Sequence, residues 1–325
     1  MNKLILLLAA ISLIMSGCRE INVSTKVNSD GTCSRSISIY RENDNAKEHL
    51  FPYSLDESWS MRKTEKVKDD KNLYTYTRHF ENLDTYNSEF NKTGNVSSRI
   101  DKEFRWFFTY YKFQEKYKSY NEFNSIPAEE FFSASELERL KKGEDTVWIN
   151  EQTNLWQQQN VFENLFQALV KGSERINGKK ITPESLKERK EEITKAFIAD
   201  EKGDSETFIV YLNKLFDTNE ASLLKKELEK AEAEIGEKIE RMGRAEGDYK
   251  NEIILPGIIV KTNADALEGN KVIWTFNSDK YLLSDHEMYA ESRELNTTFI
   301  TGSGLVVILL IGGLTIPFVR KVRRY

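Results

Sequence analysis

Cysteine is nearly missing from this chain: two in 325 residues, beside three histidines and five prolines. Two cysteines exclude a disulfide-dense scaffold. His49, His79 and His286 lie far apart and fall in no spaced metal motif. No Gly-x-Ser-x-Gly elbow is present, and the one Gly-Ser-Gly, at 302–304, sits inside an apolar run. Long apolar runs are absent except at the two ends, which excludes a multi-span transporter. Basic charge is short in between. All 52 acidic residues lie between Cys18 and Thr298, and once Lys3, Arg320, Lys321, Arg323 and Arg324 are set aside, 42 basic residues remain there, a net charge of −10. An acidic middle section argues against nucleic acid and against electrostatic docking on anionic lipid.

What is present is concentrated at the ends. Met1 to Cys18 has a single Lys, then an apolar stretch from Leu4 to Met15, then Ser16-Gly17-Cys18. This reads as a secretory leader closing on a lipobox-like Cys, so residues 1–17 are expected to be a lipoprotein signal peptide and Cys18 the lipid-attachment residue. Residues 299–319 carry no charge and are followed by four basic residues in the last six. A helix of that length reaches roughly 31 Å, so the expectation is a transmembrane helix at 299–319 with a basic cytoplasmic tail at 320–325.

Between the ends the hydrophobic period changes twice. Ile21, Val23, Thr25 and Val27 alternate, Asn28-Ser29-Asp30-Gly31 turns the chain, and Cys33, Ile37 and Ile39 resume the alternation, a hairpin signal. Phe104 to Phe113 reads as a strand with aromatics on both faces. Interleaved with Lys102, Arg105, Lys112, Lys116 and Lys118, it suits a core strand or a groove for lipid tails. From about 129 to 245 the spacing is helical: a capping box at Ser135–Glu138, a stripe at Leu155, Phe162, Leu165, Phe166 and Leu169, a start at Thr182-Pro183, and a longest helix over 219–242. Gly172 to Lys180 echoes a phosphate loop. It has one residue too many between its glycines, however, and Lys180 where magnesium needs Ser or Thr, so it reads as a helix end and loop. After 251 strands return, with Pro256 marking an edge or bulge and Val272, Trp274 and Phe276 alternating.

The expected fold is therefore α+β: an antiparallel sheet built from N- and C-terminal strand regions (18–125 and 249–298), a helical insertion (126–248), and one C-terminal transmembrane helix. Pairing of the first and last strands is expected to bring the two anchors together at one patch of membrane.

Four features occur in order: the hairpin at Asn28–Gly31 soon after Cys18, Leu255-Pro256-Gly257, the Trp274 strand, and an apolar run with a basic tail. In its β regions and anchors the chain resembles the LppM-like bacterial envelope lipoproteins. That resemblance implies a surface-facing β domain, with lipid association among its roles, and supplies no catalytic residue. The leading expectation is a non-enzymatic, membrane-anchored envelope lipoprotein acting as a binding or assembly module. A lipid or apolar-ligand binding protein and an envelope hydrolase are the alternatives. No catalytic residue, metal ligand or cofactor is assigned. The expected partners are membrane lipid, through Cys18 and residues 299–319, and another envelope protein. The expected location is the bacterial inner membrane, with the bulk of the chain outside the cytoplasm.

Overall fold

The computed structural model describes residues 19–41, 52–53, 55–68, 71–90, 94–142, 147–176, 178–199 and 205–322, with side chains of the last helix described as far as Ile311. Strands β1 (Glu20–Val27) and β2 (Cys33–Arg41) form the expected hairpin, Ile21 opposite Ile39 and Val27 opposite Cys33. Its turn works because Gly31 takes φ 97° at no steric cost and the Asp30 carboxylate accepts the Thr32 amide at 2.8 Å. The remaining strands are β3 (Ser60–Lys68), β4 (Lys71–Phe80), β5 (Val96–Arg105), β6 (Phe108–Tyr117), β7 (Asp248–Ile254), β8 (Ile258–Thr262), β9 (Ala266–Glu268), β10 (Lys271–Asn277) and β11 (His286–Leu295).

They make two sheets, not one. The larger has seven strands in the order β3-β4-β2-β1-β7-β10-β9, the smaller four in the order β5-β6-β11-β8. The larger is mixed, because β1 pairs with β7 in parallel. This corrects the expected antiparallel sheet. A return strand that comes back through a long helical crossover can enter beside β1 in the same direction, which a hairpin cannot do. The sheets stack through aromatic side chains: Phe113 lies 5.8 Å from Trp274, and Tyr117 lies 5.3 Å from Phe276 and 5.7 Å from Tyr249.

The helical layer is led by Val147–Ile176, 30 residues, which packs on Lys225–Gly243. This, not 219–242, is the longest helix of the block; over 220–224 the latter segment is a 3-10 turn. The first half of the long helix hides its period because Asn160, fully buried, turns inward to hold the loop before it, accepting the Ile126 amide at 2.9 Å. The capping box sits two residues earlier than expected, with Ser133 as cap and Glu136 reaching back, while Thr182-Pro183 starts a helix as expected.

Two expectations about the ends are corrected. β1 and β11 run the same way through the sandwich. Arg19 lies at one end, beside Asp248 and Tyr249 (called the base below). Ser29 and Glu294 meet at the other end through a side-chain hydrogen bond. The start of β1 and the end of β11 are thus separated by the length of a strand, roughly 26 Å for eight residues, rather than brought together. The expected transmembrane helix is also overturned. A helix does form at Thr297–Val322, but among the described residues no helix is long and apolar enough to cross a membrane.

Candidate functional site: the outer face of the small sheet

Along β6 and β11 the side chains alternate. Phe113, Glu115, Tyr117, Met288 and Ala290 face the larger sheet and are buried, while Lys112, Gln114, Lys116, Glu287, Tyr289 and Glu291 face out. Twist, and a register shift at Glu291/Ser292 where β8 joins, curl this outer face into an open groove of about 470 Å³. Arg99 from β5 and Lys261 from β8 complete its walls.

Charges in the groove pair locally. Arg99 Nε donates to Asp101 at 2.8 Å, Lys112 bridges Glu103 at 3.0 Å, and Lys116 bridges Asp285 at 2.7 Å and Glu287 at 3.2 Å. Hydrogen bonds from Arg105 and Lys112 hold the Glu103 carboxyl down at about 2, and the hydrogen bonds that Lys116 donates to Asp285 and Glu287 raise its ammonium. Such exposed pairs are screened by water and contribute little, so an incoming ligand can exchange them at little cost. Lys261 instead lies across the Tyr289 ring, 5.3 Å from its centre. The groove therefore offers both signs of charge and a flat aromatic surface, a set suited to a polar ligand.

Beneath its floor lies a buried ion pair. Arg35, on β2, meets Glu115, on β6, with Nη1 to Oε2 at 2.5 Å and Nη2 to Oε1 at 2.9 Å; both side chains are essentially inaccessible. Tyr86 accepts from Arg35 at 2.7 Å, and Asn251 Nδ2 donates to Glu115 at 3.0 Å and to Tyr117 at 2.8 Å. The Arg35 guanidinium also lies 4.6 Å from the Phe90 ring centre. Burial by itself would lower the guanidinium, but Glu115 beside it, with Tyr86 and Tyr53, holds it well above its ordinary value.

A third cluster gathers at the base, where Arg19 Nη2 donates to the Tyr249 hydroxyl at 3.2 Å and Tyr281 donates to the same oxygen at 2.7 Å. Glu246 sits there half-buried. Burial, and then the neighbouring Asp279, push its carboxyl up to about 9, with Arg19 opposing. A carboxyl raised on folding makes the native state bind a proton that the unfolded chain releases, so stability falls as pH climbs from about 4.5 to about 9. The variant Glu246→Gln is expected to raise the melting temperature by several degrees at pH 8 and to leave it unchanged at pH 4. Thermal melts across this range read the effect, and an equal shift at both pH values would refute the assignment.

Cys18 lies outside the described residues. Cys33 is buried on the inner face of β2, and burial pushes its thiol up to about 12, which leaves it unreactive. His79 is exposed on β4, His286 packs 4.5 Å from Phe276 at the base, and His49 lies outside the described residues. Among the described residues no group of three His, Cys, Asp or Glu stands close enough to hold a metal ion. In the phosphate-loop echo, the amides of Lys179, Lys180 and Ile181 all donate to the Glu220 carboxylate at 2.9–3.0 Å, so the chain fills that anion nest with its own side chain.

Sequence reasoning missed the groove and the ion pair. It also read 104–113 as one strand, whereas the chain reverses at Trp106-Phe107 between β5 and β6. Nothing at that turn signals a reversal: no Gly, Asn, Asp or Pro is there. The ion pair did leave a signal. Arg35 is in phase with Cys33, Ile37 and Ile39, and Glu115 with Tyr111, Phe113 and Tyr117, so two opposite charges stood on two apolar faces.

No protein-family model matches the chain, and no curated protein matches it. Among solved structures it is similar to the NMR structure of the folded domain of the Mycobacterium tuberculosis LppM protein. The identity is 7%, the match covers 86% of this chain and 92% of that chain, and the TM-score is 0.29. A likeness of that size carries no argument about function, and the reading below rests on the chain's own residues.

Proposed function

We propose that the protein is a non-enzymatic envelope lipoprotein, held to membrane lipid through Cys18, whose groove on the small sheet binds a polar segment of another envelope component. The groove carries this reading: a concave, solvent-open surface with paired charges of both signs and the Lys261–Tyr289 stack. The charged side chains with strongly shifted titration elsewhere are engaged in holding the two sheets together or in packing the base, a pattern of structural service. The space between the sheets is filled by Tyr111, Phe113, Tyr117, Trp274 and Phe276, which speaks against a lipid-tail cavity there. The leader and Cys18 support the lipid anchor on sequence grounds.

One experiment reads both parts. A photo-crosslinking amino acid replaces Gln114, exposed in the groove, and in a control replaces Glu229 on the helical layer. After irradiation of native membranes, intact mass is measured. The expected result is a chain beginning at Cys18 with added acyl mass, plus a discrete adduct from position 114 that disappears in a Lys261→Glu/Tyr289→Ala background. Loss of the adduct claim with the acyl mass intact would sink the groove alone. A mature N-terminus at Arg19 would sink the anchor alone.

A further inference from the structure

The β5–β6 hairpin reverses in two residues, Trp106 and Phe107, with Arg105 paired to Phe108. Trp106 takes φ 30°, the left-handed side that the first position of such a turn reserves for glycine. A tryptophan there is strained, and it is not compensated by burial: Trp106 is 56% exposed, Phe107 52% and Phe104 51%. Local folding preference and burial are both violated at one place, which is where function is to be sought.

The tip is nevertheless held in position. Trp106 Nε1 donates to Ser303 Oγ at 3.0 Å, the Asn296 amide donates to the Phe107 carbonyl at 2.8 Å, and the Phe299 ring lies 4.8 Å from Phe104 and 5.8 Å from Trp106. The hairpin and the first turns of the helix Thr297–Val322 are therefore joined by direct contacts. Along that helix axis polarity changes in order. Asn296, Thr297 and Thr298 come first, then Phe299 with the rings of Phe104 and Trp106 against it, Thr301 and Ser303 lying at the same level. From Leu305 to Ile311 every side chain is aliphatic and at least 52% exposed.

We propose that this aromatic tip is an interfacial element that seats in the headgroup and upper-chain layer of a phospholipid surface. The axial order, a mixed level of polar groups and aromatic rings followed by exposed aliphatics, matches the order of layers at a lipid surface. A protein partner would cover one face, whereas residues 305–311 are exposed at seven consecutive positions, all round the helix. Just behind the tip, Arg105 lies across Tyr110 and Arg293 across Phe108, at 4.8 and 5.1 Å, where lipid phosphates would stand. Seating requires only the shallow depth of the interface, not a spanning helix. Because the section between the ends is acidic overall, attraction comes from the rings and not from net charge. The tip lies at the far end of the sandwich from Arg19, so it fixes which way the groove faces independently of any lipid at Cys18.

The test uses the full chain with Trp148→Phe, which removes the other exposed tryptophan and leaves Trp59, Trp156 and Trp274 buried beside Trp106. It is mixed with phosphatidylcholine vesicles whose acyl chains carry bromine either near the headgroup or near the chain end. The expected result is a loss of about a quarter of the emission with bromine near the headgroup, the share of one ring in four, unchanged by salt and gone when Trp106→Phe is added. Equal quenching with and without Trp106, no quenching at all, or stronger quenching from the chain-end bromine would each overturn the proposal. A second variant, Trp106→Gly/Phe107→Ser, installs the residues this turn prefers. Its melting temperature is expected to match or exceed that of the parent. A lower one would show that the rings serve the fold and would overturn the proposal as well.

Discussion

Replacing Glu115 by Gln is expected to cost about 3–5 kcal/mol of stability, as large an effect as any single substitution in this chain should have, because it leaves the Arg35 guanidinium buried without its counter-charge. Water cannot reach Arg35 to compensate, since its side chain is inaccessible, and the remaining partners, Tyr86 and Ser98, are neutral hydroxyls at 2.7 and 3.4 Å. Arg35→Met should cost a similar amount from the other side, stranding the carboxylate with, among the described residues, only Asn251 donating to it. The double variant Arg35→Met/Glu115→Leu should be far milder than the sum of the singles, because removing both charges also removes the desolvation penalty of each. It should remain below the parent, since Tyr86, Ser98 and Asn251 lose partners in a dry site. Denaturant unfolding of the four proteins completes the cycle. Additive single effects would mean that the two charges are not coupled across the sheets.

That pair explains part of what was and was not legible in the sequence. Elements specified by neighbours in the chain could be read directly: the hairpin closed by Gly31, the helix started by Thr182-Pro183 and the strand around Trp274. Each depends on backbone preference or on a short period, and those are written locally. The division into two sheets was not legible, because it depends on which strands neighbour each other in space. β5 and β6 follow β4 in sequence yet leave its sheet to pair with β11. The parallel entry of β7 beside β1 is likewise a consequence of the crossover, not of either strand's own pattern. The strained turn at Trp106 violates the rule by which turns are read, so a reader of patterns passes over it. The groove is assembled from outward-facing residues of four strands, and outward-facing charge on a strand ordinarily means only solvent. Arg35 and Glu115 are the exception: a charge in phase with an apolar face calls for a partner, even when the sequence does not say which.

Leu255-Pro256-Gly257 marks the point where the chain leaves the larger sheet at the end of β7 and enters the smaller one as β8. Leu255 plugs into the core with no exposure, its amide bonded to Asn270 at 3.2 Å and its carbonyl accepting from the Asn270 side chain at 2.8 Å. Gly257 then takes φ 79°, and a Cβ placed there would lie 2.1 Å from the Arg293 carbonyl oxygen. That oxygen is backbone within β11 and cannot swing aside as a side-chain tip could. Gly257→Ala should therefore cost on the order of 3 kcal/mol or more, the sum of a positive-φ penalty and a displaced strand. Gly31→Ala provides the control. It has a comparable φ of 97° with nothing within 4 Å of the added Cβ, so it should show only the backbone part, about 1–2 kcal/mol. The difference between the two is the steric cost of the close approach. Its structural consequence should be the release of β8, which pairs only with β11 in its sheet, and with it the withdrawal of Lys261 from Tyr289 and the opening of one wall of the groove. Thermal melts should separate the two variants, and limited proteolysis should show new cleavage within 258–262 in Gly257→Ala alone. If the two alanine variants melt together, or if β8 stays protected, the backbone at this corner yields more easily than the close approach implies and the groove does not depend on it.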